Sequence, residues 1–139
     1  MKSVNNLFSS LQNGQKAKKH LISIPKTKIV YAILNILLSE GYICGFTYVK
    51  SDFTQNCLFG NDSKHRSQIQ VLLKYVNEEP VIKNIKQVSS SGCRVYIDSK
   101  KMQNLPSICF LILSTSRGIM TVKKARSLQI GGEILCRIV

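Results

Sequence analysis

The chain has 139 residues, with 20 lysines and arginines against 7 acidic residues, so its formal net charge is +13 at pH 7. This charge favours a polyanionic partner, because each phosphate that a cation neutralises releases a counterion; a basic protein without such a partner is the alternative. No segment has the roughly 18 consecutive apolar residues that a membrane span needs. The five cysteines are an odd number and include no C-x-x-C pair, so neither a disulfide framework nor a zinc site is indicated.

Helical and strand patterns alternate in the first part of the chain. Apolar residues at helical spacing predict a first helix from Val4 to Leu11, which Ser3 can cap and Asn13-Gly14 can end or kink. The later patterns predict, in chain order, a strand over 21–24 stopped by Pro25, a helix over 29–37 ended by Gly41, a strand over 42–50, a polar loop over 51–67 and a half-buried strand over 69–75. We therefore expect an α-β-α-β-β half over residues 1–77.

Turn residues at 77–80 predict the boundary with a second half over residues 78–139. The patterns there predict strands over 81–88 and 94–97, a buried strand over 108–113, a loop over 114–120, a short helix from its cap Thr121 to Leu128, and a last strand over 133–138 after Gly131-Gly132. This half is mostly β with a short helix. The expected fold class is α+β, with two small α/β halves packed together.

A run of hydroxyl side chains after the buried strand is the strongest candidate site. The segment contains, in chain order, Ser114, Thr115, Ser116, Arg117 and Gly118, followed by Lys123, Lys124 and Arg126 at the start of a helix. Hydroxyls and loop amides bond ribose 2′-OH groups and base edges, while cations hold phosphates, so the pattern predicts RNA binding. A polar loop whose hydroxyls only cap the next helix is the alternative.

A second candidate surface lies in the first half. The end of the first helix and the start of the second carry, in chain order, Asn13, Gly14, Gln15, Lys16, Lys18, Lys19, His20, Pro25, Lys26, Thr27 and Lys28. If both groups meet at one edge of the sheet, they form a cationic ledge for a phosphate backbone. Most aromatic residues have the spacing of core residues and are interpreted as packing. Tyr96, next but one to Arg94, is the exception and a candidate stacking residue.

Catalysis lacks its required parts in this sequence. A nucleophilic serine needs a base that a third group positions, yet His20 and His65 stand in polar surroundings and there is no G-x-S-x-G elbow. No glycine-rich nucleotide motif occurs either. The thiol of Cys93, beside Arg94, is interpreted as inert. We expect no enzyme activity, no metal, no cofactor and no small-molecule substrate.

The segment LSTSRGIMTVKKARSLQIGGEILC, residues 113–136, resembles the C-terminal signature of the eighth small-subunit ribosomal protein family. The segments SLQNGQKAKK, IPKTKI, SEGYI and VSSSGCRVY follow the order of the same family. The resemblance covers the chain except the predicted loop. It implies a structural, non-catalytic component of the small ribosomal subunit that helps its assembly. It also implies binding to the central domain of small-subunit ribosomal RNA, with neighbouring small-subunit ribosomal proteins as further partners.

The resemblance also implies roles for single residues. It places Ser114, Thr115, Ser116, Arg117 and Gly118 against an RNA helix, with Arg94, Tyr96 and Glu133 supporting that surface and Thr27 and Lys28 on an N-terminal contact. The chain departs from the family where Ser91 replaces a usual proline, in a shortened turn before Ser114, and in lacking arginines near 11–13. We therefore expect fewer phosphate contacts from the first helix.

The cellular setting and one other function stay open from the sequence. The chain is rich in isoleucine, lysine and asparagine and poor in alanine, which, with the resemblance, favours a mitochondrial ribosome over a plastid or the bacterial cytoplasm. A regulatory RNA- or DNA-binding module that acts off the ribosome is the alternative function. Such a module would share the positive charge but would not need the hydroxyl signature.

Overall fold

Fourteen helices and strands occur in the computed structural model, which describes residues 2–49, 67–105 and 110–139. In chain order they are α1 Lys2–Lys16, β1 Leu21–Pro25, α2 Lys28–Ser39, β2 Ile43–Val49, β3 Gln68–Leu73, β4 Tyr75–Val76, β5 Glu79–Pro80, β6 Ile85–Gln87, β7 Tyr96–Ile97, α3 Ser99–Gln103, β8 Phe110–Thr115, β9 Gly118–Thr121, α4 Val122–Ser127 and β10 Gly132–Ile138. The predicted loop over 51–67 lies outside the described residues, apart from Ser67.

The apolar stripes of the first half pack as their spacing predicts. Helix α1 buries the side chains of Val4, Leu7, Phe8 and Leu11 in the same core as Ile33 of α2. An antiparallel sheet with strand order β1-β3-β2 contributes its alternating buried residues to that core. Buried residues alternate with exposed or half-buried ones along β1 and β3 because only one face of this sheet is covered.

Helix α1 differs from its predicted limits at both ends. Ser3 lies inside the helix rather than at its cap, and the helix continues through Asn13-Gly14 to Lys16. Gly14 is buried, and a Cβ atom there would lie 2.7 Å from Cγ2 of Ile22. The glycine therefore lets the helix approach β1 closely instead of ending it. The helix ends where Lys18 adopts a φ of 51°.

The second half is a sheet covered by helices. The strand order is β6-β10-β8-β9, with β7 also paired to β10. Residues of α3 and α4, among them Met102 and Ala125, pack on Leu111 and Leu113 of β8 to form a second apolar cluster. The α+β class with helices and antiparallel sheets in both halves is confirmed.

Several predicted limits in the second half are wrong. The expected strand over 81–88 is reduced to β6, and the strand over 94–97 is reduced to β7. Helix α3 was not predicted. The strand expected over 108–113 is described only from Phe110 onwards and extends to Thr115, while the loop expected over 114–120 is a β-hairpin. Strands of two or three residues are too short to show a period in the sequence.

The two halves share one apolar core, and two side-chain hydrogen bonds join α1 to the second half. The first cluster contains Ile85, Ile112 and Ile138 as well as the residues of α1 and α2. Gln15, with 1% of its surface exposed, accepts a hydrogen bond at Oε1 from the backbone amide of Ile82 at 3.1 Å. Nε2 of Gln12 donates to Oδ1 of Asn84 at 3.0 Å. The division of the chain into 1–77 and 78–139 stays a proposal.

The hairpin between β4 and β5 has a strained turn. Its two loop residues, Asn77 and Glu78, have φ values of 50° and 64°, the pattern of a type I′ turn, which favours Asn-Gly. We expect Glu78→Gly to raise the free energy of unfolding by about 0.5–1 kcal/mol, because glycine adopts positive φ without a Cβ clash. Urea denaturation measures it. Glu78→Ala removes the same charge but keeps the strain, so an equal gain from both variants would contradict the explanation.

Candidate nucleic-acid interface

A row of paired residues crosses the larger sheet at the end of β8. Glu133 on β10 pairs with Tyr96 on β7 and with Ser114 on β8, and Ser114 pairs with Ile119 on β9. Directly paired residues of antiparallel strands point to the same face. Three residues that are far apart in sequence, Tyr96, Ser114 and Glu133, are thus brought side by side.

The hydroxyl segment forms the β8–β9 hairpin, not an open loop. Oγ1 of Thr115 donates to the carbonyl of Gly118 at 2.8 Å and accepts from the amide of Arg117 at 3.2 Å. Gly118 has a φ of 109°, which side-chain-bearing residues rarely adopt. The hydroxyl of Thr115 therefore closes the turn and has already used its one proton.

The other two hydroxyls have no such role. Within the described residues, no hydrogen bond engages the side chain of Ser114 or Ser116. Ser116 and Arg117 are exposed at the tip of the hairpin, and Ser114 is half-buried one residue before Thr115. Each free hydroxyl offers one donor and two acceptor lone pairs, which suits a 2′-OH group or a base edge. The hairpin thus separates a turn-forming threonine from two serines available to a ligand.

An ion pair orients the arginine beside this row. Nη1 of Arg94 lies 3.1 Å from Oε2 of Glu133, whose other oxygen, Oε1, is buried and has no hydrogen-bond partner among the described residues. The side chain of Arg94 is 51% exposed, so part of its guanidinium remains free for a phosphate oxygen. Tyr96 is 67% exposed, which gives its ring a free face. Glu133 therefore holds the guanidinium of Arg94 in place at the edge of the row.

Gly131 and Gly132 allow this row to assemble. A Cβ atom on Gly132 would lie 2.5 Å from the carbonyl oxygen of Ser114, and one on Gly131 would lie 2.8 Å from the carbonyl oxygen of Ile97. The sequence pattern predicts only a turn at this pair. A glycine at the start of a strand pattern is a signal for close backbone approach and could have indicated this role.

The cations that follow the hairpin divide into two kinds. Oγ1 of Thr121 accepts from the amide of Lys124 at 3.4 Å and caps α4. The side chains of Lys123 and Lys124 are exposed beside a cleft of about 310 Å³. Arg126 instead donates from Nη2 to the carbonyls of Met102 and Leu105, at 2.6 and 3.1 Å. It joins α4 to α3, so it is occupied within the protein.

The predicted N-terminal ledge is two separate groups. Thr27 caps α2 by accepting from the amide of Val30 at 3.2 Å, and Lys28 is exposed beside it. Asn13 and Lys16 are exposed near the end of α1. Strand β1 runs between the two groups, and its five residues span about 13 Å from the first Cα to the last. One backbone segment that follows the strand could contact both groups.

Other kinds of site find little support in the described residues. No group of three or more His, Cys, Asp and Glu residues there could hold a metal ion, and no helix is long and apolar enough to cross a membrane. Burial raises the pKa of the Cys136 thiol to about 12, so this cysteine is protonated and unreactive at neutral pH. Cys93 is exposed in the loop before Arg94.

Comparison with known proteins gives consistent matches over almost the whole chain. The family model described as ribosomal protein S8 matches residues 2–139. A small ribosomal subunit protein uS8 of Leptospira biflexa is 40% identical over 134 residues, which cover 95% of this chain and 92% of the relative. The proteins of the same name from Buchnera aphidicola and Vibrio cholerae are 37% and 33% identical over 139 residues, covering 97% of this chain and 95% of each relative.

Proposed function

Because this chain belongs to the ribosomal protein S8 family, we propose that the β8–β9 hairpin and the row beside it bind the central domain of small-subunit ribosomal RNA. Membership of the family makes the chain an RNA-binding structural component of the small ribosomal subunit and not an enzyme. What we propose beyond this is that the RNA bound is the central domain and that these residues contact it.

The geometry of the hairpin carries this proposal. The hydroxyls of Ser114 and Ser116 have no partner among residues 2–49, 67–105 and 110–139, and Arg117 stands at the tip. Arg94 and Tyr96 lie in or beside the same cross-strand row. Cations position a phosphate backbone, while hydroxyls and an exposed ring discriminate shape and bases. The surface combines both functions within one sheet end. Gly118 and Glu133 support it, the first through the turn and the second through Arg94.

Further contacts complete the proposed interface. Lys123 and Lys124 would hold phosphates next to the hairpin, and the N-terminal contact would consist of Thr27 and Lys28, with Asn13 and Lys16 at the other end of β1. Exposed lysines make mainly sequence-independent contacts. Neighbouring small-subunit proteins are proposed as further partners, and a role in assembly follows if the central domain is bound early.

The cellular setting of the ribosome follows only in part from the relatives. The relatives named above are bacterial, which fits a ribosome in the bacterial cytoplasm or in an organelle. We propose a mitochondrial ribosome, on the support of the isoleucine-, lysine- and asparagine-rich composition and of the resemblance of the sequence. Finding the protein in the small subunit of a cytoplasmic bacterial ribosome would contradict this part.

Binding to two RNAs across a salt series tests the proposed function. We expect the protein to bind a central-domain helix about 1,000-fold more tightly than a scrambled duplex of equal length, because shape and base contacts add to charge. Both affinities should fall with salt, with a slope of roughly 0.9 per phosphate contacted. Equal affinity for the two RNAs would contradict the proposal and would favour the off-ribosome module.

A further inference from the structure

Two cations face each other across β6 and β10. Lys86 and Arg137 are direct partners in the antiparallel register, and both side chains are exposed. Like charges at directly opposite positions destabilise a sheet. The described residues contain one ion pair, between Arg94 and Glu133, so no described carboxylate neutralises Lys86 or Arg137. The fold therefore tolerates an unfavourable pair on an exposed surface.

This pair lies on the opposite face of the sheet from the hydroxyl row. Arg137 pairs with Leu111 on β8, whereas Glu133 pairs with Ser114, and residues three apart on a strand point to opposite faces. Leu111 packs with Met102 of α3 and Ala125 of α4, so the pair lies on the α3–α4 side of the sheet, whereas Ile112 and Ile138 on the other side pack in the core with α1 and α2. The row of Lys86 and Arg137 is also about 10 Å along β8 from the row of Ser114.

We propose that Lys86 and Arg137 form a second RNA site, which binds the phosphodiester backbone of a segment other than the helix at the hairpin. The proposal rests on the function proposed above, since it assumes an RNA-bound protein. A phosphate between the two side chains would remove their repulsion and gain two charge-assisted hydrogen bonds. An arginine can hold two phosphate oxygens at once, and a lysine adds a mobile point charge.

The chemistry favours nucleic acid backbone over an acidic protein surface. The net charge of +13 leaves few acidic residues to balance any cation on the chain. Both members of the pair are cations, which position a phosphate backbone, so the pair fits a sequence-independent contact. The oxygen of Val139, two residues beyond Arg137, accepts from the backbone amides of Lys83 and Asn84 and is not in ion-pair distance of either cation.

The test uses the protein already saturated with the central-domain helix. A second, labelled RNA duplex of unrelated sequence is added, and its binding is followed by fluorescence anisotropy across a salt series. We expect Lys86→Glu to weaken binding of the second duplex by about tenfold or more at 0.1 M salt and to lower its salt slope by about one to two, since the new carboxylate also neutralises Arg137. Affinity for the first helix should stay unchanged.

The thermal midpoint separates a binding role from a structural one. Lys86→Glu replaces a like-charge pair by an ion pair, so we expect the midpoint to rise by about 1–4 °C while second-site binding falls. Lys100→Glu on α3 makes the same change in net charge at another exposed lysine and is the matched control.

Three outcomes would overturn the second site. The control could weaken the second duplex as much as Lys86→Glu does, which would mean that net charge alone acts. Lys86→Glu could leave second-duplex binding intact, and an acidic protein would then be the better occupant. It could also lower the midpoint, which would make the lost binding a consequence of damage to the fold. Failure of the first helix to bind would instead reject the proposed function.

Discussion

Replacing Ser114 and Ser116 together by alanine should lower the affinity for the central-domain helix by about 10- to 100-fold. Both hydroxyls are free of partners among the described residues, and each hydrogen bond lost to RNA costs about 0.5–1.5 kcal/mol, with each serine able to make more than one. The fold should be unaffected, because neither hydroxyl contributes a hydrogen bond to it within the described structure. Titration of labelled RNA helix with wild type and variant measures the loss.

Two controls make this result specific. Lys100→Ala with Lys101→Ala removes two exposed cations from α3, and we expect a smaller loss that is similar for the scrambled duplex. Thr115→Ala should lower the free energy of unfolding more than it lowers RNA affinity, since the Thr115 hydroxyl closes the hairpin turn. Equal losses from the serine and lysine pairs would show that the hydroxyls have no special role, and the assignment of the hairpin would be wrong.

Gly132→Ala should disrupt both the sheet and the site. The added Cβ would stand 2.5 Å from the backbone carbonyl of Ser114, and a backbone atom of a central strand cannot move aside as a side chain can. We expect the free energy of unfolding to fall by about 2–3 kcal/mol, as for an overpacked core position. Affinity for the RNA helix should fall further than the loss of folded protein explains, because Ser114 is displaced.

Gly45→Ala is the matched comparison for this substitution. Gly45 also lies in a strand, β2, but a Cβ atom there meets nothing within 4 Å. Alanine should be neutral there or should stabilise by about 0.4–1 kcal/mol, through the unfolded chain. Urea denaturation of both variants measures the difference. Equal tolerance of alanine at Gly45 and Gly132 would contradict the explanation that Gly132 is needed for the close approach of β10 to β8.

Residues of the same type have different roles in the structure. Among the hydroxyl residues, Thr115 closes a turn, Thr121 and Thr27 cap helices, and Ser114 and Ser116 have no hydrogen-bond partner in the described part of the chain. Among the cations, Arg126 is held by two backbone carbonyls, whereas Lys123 and Lys124 are exposed. A list of polar residues in a signature therefore overstates the number that can meet RNA.

Local patterns in the sequence determined the long elements and the partner class. The stripe at Val4, Leu7, Phe8 and Leu11 predicted α1, and the alternation from Ile69 to Leu73 predicted β3, because each period is expressed within one continuous segment. The charge of +13 and the segment from 113 to 136 indicated RNA binding and the family. These features need no knowledge of which segments meet in space.

Only the tertiary structure decided which residues stand side by side. The hairpin at 114–121, the pairing of Glu133 with both Tyr96 and Ser114, and the facing of Lys86 and Arg137 depend on strand register. Register is set by contacts between segments that are distant in the chain, and strands as short as β6 and β7 carry no period of their own. For the same physical reason, Gly132 looked like a turn residue until the backbone of β8 was placed against it.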